Sequence, residues 1–95
     1  MMSKADYLER VRSVRCVVCT HMNVIQETPT AAHHVESVRD GLSDYATVAL
    51  CHFHHQGAGG VHTLSRRGFE MRYRLSDVDL IALTIRALDR EGVIA

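Results

Sequence analysis

Ninety-five residues, 46% of them hydrophobic, suit one small domain and leave no room for a second core. Eleven basic and eleven acidic side chains cancel, so global charge gives no argument for a polyanionic partner. No stretch approaches the ~18 consecutive apolar residues of a membrane span, and MMSKADYLER lacks the apolar run of a secretory signal, which argues against both.

The elements follow in chain order. SKADYLERVRSV carries Ser3 as an N-cap, with Tyr7, Leu8 and Val11 at helical spacing, and predicts a short helix. CVVCTHMN reads as a turn carrying two cysteines, and QETPT, with the only proline, as a loop or hairpin tip. TAAHHVESV predicts a strand, RDGLSD a turn-rich connection, and YATVALC a second strand that returns to the third cysteine. HFHHQ opens a short helix, closed by GAGG because glycine tolerates the left-handed geometry of a helix end. LSRRGFEMRYRL reads as helical despite Gly68. In SDVDLIALTIRALDREG, Ser76 and Asp79 have capping-box spacing, with Asp standing in for the usual Glu or Gln. Val78, Ile81, Ile85 and Leu88 form its apolar stripe, and Gly92 sits at the stop.

The chemistry begins with the cysteines. Three is an odd number, and CVVC is too tight for a routine structural disulfide, so thiolates for metal in a cytoplasmic setting are the better reading. Cys16 and Cys19 offer two ligands from one turn, and Cys51 and His54 repeat that spacing after 31 intervening residues. Together they supply the donors of a tetrahedral Cys3His zinc site. The competing reading, small buried hydrophobes at Cys16 and Cys51, leaves two matched pairs to coincidence. Zinc closure would contribute on the order of 10 kcal/mol of metal-linked folding energy.

Six histidines remain. His33 and His34 are adjacent on the predicted strand, so they point to opposite faces and serve different roles, one a ligand and one a proton acceptor. His55 follows the zinc histidine and faces away from it, while His62 can fold back across the glycine loop. A second, open metal site can then be built from His33, His55 and His62, with His34 beside it as general base. His21 and His52 read as surface or capping residues. Arg10, Arg12 and Arg15 form one basic cluster, and Arg66, Arg67, Arg72 and Arg74 another. Each suits a phosphate contact or a solvated helix face equally.

Cys-x-x-Cys, then AAHH, then LC-x-x-HH resembles the HNH, or ββα-metal, nuclease motif in its zinc-bearing form. The resemblance spans roughly residues 16 to 90. It implies an α+β fold in a single domain, 1–95: an N-terminal helix (1–15), a zinc knuckle with a ββα-metal core (16–62) and a C-terminal helical part (63–95). It also implies His33 and His55 as ligands of the catalytic metal and His34 as general base. The longer string LCHFHHQGAGGVHTLSRRGFE, followed by DLIALTI, is similar to phage and prophage HNH proteins of the Ref type. Those are recombination-associated nucleases that act with RecA on DNA.

By this resemblance the chain is a metal-dependent DNA endonuclease or nickase in a bacterial or phage-infected cytoplasm, with no membrane role. Its cofactors would be a structural Zn2+ and a second divalent ion, Zn, Mn, Ni or Mg. All-imidazole ligation suits the first three better than Mg, which prefers oxygens. Arg66, Arg67 or Arg72 would grip backbone phosphates. So little basic surplus leaves room for a dimer or a partner to complete that grip. The middle Asn of the motif is missing: Ala46 stands near its place, and Asn23 is the only asparagine. Asp44 is the substitute, a carboxylate able to orient His34. The rival reading is a non-catalytic zinc module derived from an HNH fold and binding nucleic acid or protein. A redox role for CVVC lacks the βαβ context it would need.

Overall fold

The computed structural model describes residues 2–35, 38–39 and 41–92. Ser3 accepts a hydrogen bond from the Asp6 amide at 3.2 Å and so opens α1 (Lys4–Ser13), which turns Val11 inward. The CVVC segment then departs from the expected turn. It opens a six-residue helix, α2 (Val17–Met22), with Cys16 at its N-cap. The helix forms because Val17 and Val18 between the cysteines are both buried, so the pair sits on a packed element. Asn23 closes it in the left-handed conformation (φ 55°, ψ 48°), which asparagine tolerates better than most residues.

Two short strands follow, β1 (Ala31–His34) and β2 (Thr47–Leu50), paired antiparallel with His33 opposite Val48 and His34 opposite Thr47. Both are shorter than the sequence pattern predicts. Of the predicted TAAHHVESV strand, Glu36 and Ser37 lie outside the described residues, as does Asp40 of the RDGLSD connection. Tyr45, read as the start of the second strand, sits in a 3-10 turn (Ser43–Tyr45) that leads into β2. Every residue of β2 is buried, as expected of a strand with cover on both faces; α1, α2 and α5 all pack against it.

The C-terminal half is helical: α3 (His52–His55), α4 (Val61–Tyr73) and α5 (Asp77–Arg90). The capping box at Ser76 and Asp79 forms in both directions, at 3.1 and 2.9 Å. The apolar stripe read for α5 needs correcting. Val78 is 74% exposed and Ile85 44%, and the buried line runs through Leu80, Thr84 and Leu88. A polar residue holds that line because it closes the sheet edge. The Ala49 amide donates to Thr84 Oγ1 at 3.3 Å, while the Thr84 hydroxyl donates to the Leu80 carbonyl at 2.9 Å. The otherwise unpaired edge amide of β2 is thereby satisfied within the core.

α4 also differs from expectation. It starts at Val61 rather than at Leu64, so His62 lies in its first turn, and it breaks at Ser65 (φ 67°, ψ 165°). The described residues thus form a small mixed domain of helices around a two-stranded sheet. Among them no helix is long and apolar enough to cross a membrane.

Candidate metal centres

The first centre is built by two helix starts. Cys16 is the N-cap of α2 with Cys19 one turn in; Cys51 is the N-cap of α3 with His54 one turn in. Both C-x-x-C/H spacings therefore become i, i+3 pairs that face the same point. His54 Nδ1 lies 3.6 Å from Cys16 Sγ, 3.5 Å from Cys19 Sγ and 3.4 Å from Cys51 Sγ. Cys19 Sγ and Cys51 Sγ are 3.7 Å apart. A tetrahedral ion with metal–S of about 2.3 Å and metal–N of about 2.0 Å needs edges of about 3.5 Å for S···N and about 3.8 Å for S···S. The agreement is within a few tenths of an ångström on every edge given. All four residues are buried and none of the cysteines is in a disulfide. The cluster fits a structural zinc.

Its surroundings were not legible in the sequence. Gln26, read only as part of a loop, accepts from the Cys16 amide at 2.6 Å through Oε1. Its Nε2 donates to the Thr28 carbonyl and to Thr30 Oγ1, and the Thr30 hydroxyl donates to the Val14 carbonyl at 2.7 Å. Tyr73 sets its ring edge against His54, with centroids 5.5 Å apart, and donates its hydroxyl to the Gly59 carbonyl. These contacts hold the ligand pairs in register.

Burial pushes the Cys16 thiol up, and burial with repulsion from Cys16 pushes Cys19 up to about 12. Burial, then the Arg72 charge, lowers His54, so its ring is neutral and ready to ligate. Zinc binding must therefore displace thiol protons. Titrating zinc into the apo protein at neutral pH is expected to release at least two thiol protons, because a free thiol in an unfolded chain is already protonated at neutral pH and folding pushes Cys16 and Cys19 further up. Apparent affinity should then rise about a hundredfold per pH unit around neutrality, because each displaced proton contributes about a factor of ten per unit. Calorimetry in buffers of different ionisation enthalpy checks the count; release of fewer than two protons would mean that the thiols are already ionised.

The second cluster gathers His33 from β1, His55 from the end of α3 and His62 from the first turn of α4. Their ligand atoms all lie within 4.8 Å of one another. His55 Nε2 and His62 Nε2 are 3.1 Å apart, and ring centroids are 5.2 Å for His33–His55 and 5.3 Å for His33–His62. A metal–N distance of about 2.1 Å gives N···N edges of about 3.0 Å at a right angle and about 3.4 Å in a tetrahedron. The spacing suits either a shared ion or an N–H···N bond between neutral rings. Neutrality is favoured at His33 and His55: burial, then repulsion from His55, His62 and His34, lowers His33 to about 4. Burial, then His62 and His52, lowers His55.

The return of His62 depends on GAGG. A Cβ on Gly60 would stand 2.6 Å from the carbonyl carbon and oxygen of His55. Only glycine lets the chain pass directly over the end of α3 and bring His62 back to His55. Beyond the rings is a cleft of about 250 Å³ lined by His33, Val61, His62, Ser65, Arg66 and Asp77. Ser65 lies in a region that almost only glycine occupies, at a cost of roughly 1–3 kcal/mol. Its Oγ accepts from the Gly68 amide at 3.3 Å and caps the second half of α4. Removing strain outweighs a lost cap, which glycine replaces at only a few tenths of a kcal/mol. Ser65→Gly should therefore stabilise the zinc-loaded protein by about 1 kcal/mol, while Ser65→Ala, which keeps the strain and loses the cap, should destabilise it. Urea unfolding of both variants reads the opposite signs; the same sign for both would show that the conformation is unstrained.

His34 lies on the exposed side of β1. Its Nε2 is 2.8 Å from Asp44 Oδ1, in the 3-10 turn before β2. A carboxylate at Nε2 favours the tautomer with its proton there, leaving Nδ1 as the acceptor. The three arginines do not share one surface. Arg66 is at the histidine cleft, its Nη1 3.6 Å from Asp77 Oδ2. Arg67 lines a different depression with Glu70, Met71 and Arg74, and the Arg72 guanidinium lies 5.5 Å from the Tyr73 ring centre. Asp77 and Ser65 are cleft residues that sequence reasoning missed. His21 and His52 are exposed, outside both clusters.

No protein-family model, curated protein or solved structure matches this chain.

Proposed function

We propose that the chain is a metal-dependent DNA endonuclease or nickase of the HNH, or ββα-metal, kind. The observation that supports it best is the sequence β1–β2–α3, which gathers His33, His55 and His62 at one cleft and pairs the neighbouring His34 with Asp44. A divalent ion held by the three imidazoles would supply charge neutralisation at a scissile phosphate and at the leaving 3′ oxygen. His34 Nδ1 takes a proton from the attacking water. Asp44 holds the ring in the tautomer that can do so. Its position fills the role that the missing Asn would have. His34 is close enough to His33 to weigh on its protonation, so the two rings share one electrostatic neighbourhood. Arg66, at the cleft wall, is the nearest cation for a backbone phosphate.

The similarity of the quoted motifs to Ref-type proteins extends the proposal to a recombination setting in the cytoplasm, with a RecA filament as partner. A second reading, a zinc module without catalysis, is favoured by one observation. The Cys3His cluster is complete without the histidine cleft, so the fold does not require chemistry there. Supercoiled plasmid separates the two readings. Wild type should convert it to open circles with Zn, Mn, Ni or Mg and not with chelator present, while His34→Ala should not. If wild type never nicks more than His34→Ala, on naked or RecA-coated DNA, the zinc-module reading stands.

A further inference from the structure

A second concave site lies at the other end of α5. Arg15, His21, Arg86, Arg90 and Glu91 line a cleft of about 200 Å³ between α2 and α5, floored by Val17, Leu83 and Ala87. Arg86 and Arg90 are four residues apart and so share one helix face. Arg15 arrives from the segment before α2, where its Nη2 donates to the Val24 carbonyl at 3.3 Å, and His21 from the last turn of α2. Among the described residues none of the three arginines has a carboxylate within ion-pair distance. Glu91 is the one acid on the cleft wall. A chain with equal acids and bases has thus brought three guanidinium groups from two parts of the sequence to one hollow without matching them. Like charges at i, i+4 are mildly destabilising. Arg90 has an ordinary use near the end of a helix, where cations complement the helix dipole. That use does not account for Arg15 and His21, which belong to other elements.

We propose that this cleft is a phosphodiester-binding site that takes the backbone of duplex DNA at a second point, away from the histidine cleft. The helix itself gives the separation. Asp77, at the start of α5, lines the histidine cleft, and Arg86 and Arg90 lie nine and thirteen residues further on. At 1.5 Å per residue these are roughly 14 and 20 Å along the axis. A B-form major groove is about 12 Å wide, so the interval reaches from one backbone to the next across a groove. The choice of duplex as ligand rests on the nuclease reading; the cationic hollow itself does not. A guanidinium cluster on phosphate positions the duplex and carries no base specificity.

The test uses the full zinc-loaded chain carrying His34→Ala, so that the duplex stays intact, and measures fluorescence anisotropy of a labelled duplex against salt. Arg86→Gln with Arg90→Gln should weaken binding on the order of tenfold at low ionic strength and reduce the log–log salt slope by about two. Arg10→Gln with Arg12→Gln, on α1 and outside the cleft, removes the same charge and should change affinity less than about twofold, since exposed charges that do not touch the phosphates are screened by salt. Inorganic phosphate added as competitor distinguishes a free-anion pocket from a backbone contact. The inference is overturned if the two double variants behave alike, if the Arg86/Arg90 pair leaves the slope intact, or if phosphate binds at the cleft while duplex affinity ignores it. Plasmid nicking by the His34-containing protein is scored separately. Nicking with no effect of Arg86 and Arg90 removes this site alone, and their effect on binding without any nicking removes the nuclease reading alone.

Discussion

Cys51→Ser is expected to abolish the folded state at neutral pH, even with excess zinc, and chelation of the wild type should do the same. The Cys51 sulfur is buried and stands 3.4 Å from His54 Nδ1 and 3.7 Å from the Cys19 sulfur, so its loss opens the tetrahedron on one whole face. The apolar core cannot compensate. Its members are mostly Val, Leu and Cys, with Phe69 the largest fully buried side chain and no Trp in the chain. Domains of this size have a net stability of about 5–15 kcal/mol, whereas structural zinc contributes about 10–16 kcal/mol in small metal-folded domains. Far-UV circular dichroism during titration with a zinc chelator reads the loss of α1, α2 and α5 as one transition. Helicity that survives full removal of zinc would sink the idea that the metal carries the fold.

His34→Ala should lower plasmid nicking by about 10²–10⁴-fold, the usual range for a general base, with zinc content and unfolding midpoint close to wild type. The side chain is nearly half exposed and contributes little to the core, so stability and activity should separate. Asp44→Asn is the more informative partner. It acts only through the 2.8 Å bond to His34 Nε2, and outer partners of this kind typically contribute 10–100-fold. In a His34→Ala background it should therefore add nothing, a strongly non-additive cycle. If Asp44→Asn lowers nicking equally with and without His34, Asp44 has a role of its own and the pair is not a base with its orienter.

How much of this could be read from sequence varied with the physics behind each feature. The zinc ligands were legible because a C-x-x-C/H spacing is set by ligand geometry and needs no tertiary information. The helix under CVVC was missed because the burial of Val17 and Val18 is a property of the assembled core. The stripe on α5 was legible only in part: Leu88 is buried and Ile81 packs on the core as read, but Thr84 holds the buried line through a hydroxyl that serves a sheet edge remote in sequence. Asp44 was found by asking what chemistry a missing asparagine would leave undone. The break at Ser65 had no local signal, since serine is a poor choice for that conformation and the glycine nearby, Gly68, is not where the chain breaks. The arginines were grouped by proximity in sequence, whereas helical rotation sends Arg66, Arg67 and Arg72 to different surroundings.

One turn of helix has a consequence out of proportion to its length. α3 contains four residues, too few to hold a helical shape by its own hydrogen bonds. Its shape is borrowed from the sulfur cage through Cys51 and His54, and His55, joined to His54 by one peptide bond, inherits its aim from that cage. An ion in the cage would therefore preorganise the trio across the peptide, and an ion in the trio would tighten the cage by the same factor, because such coupling is reciprocal. Under zinc scarcity the molecule would lose its aim and its scaffold together.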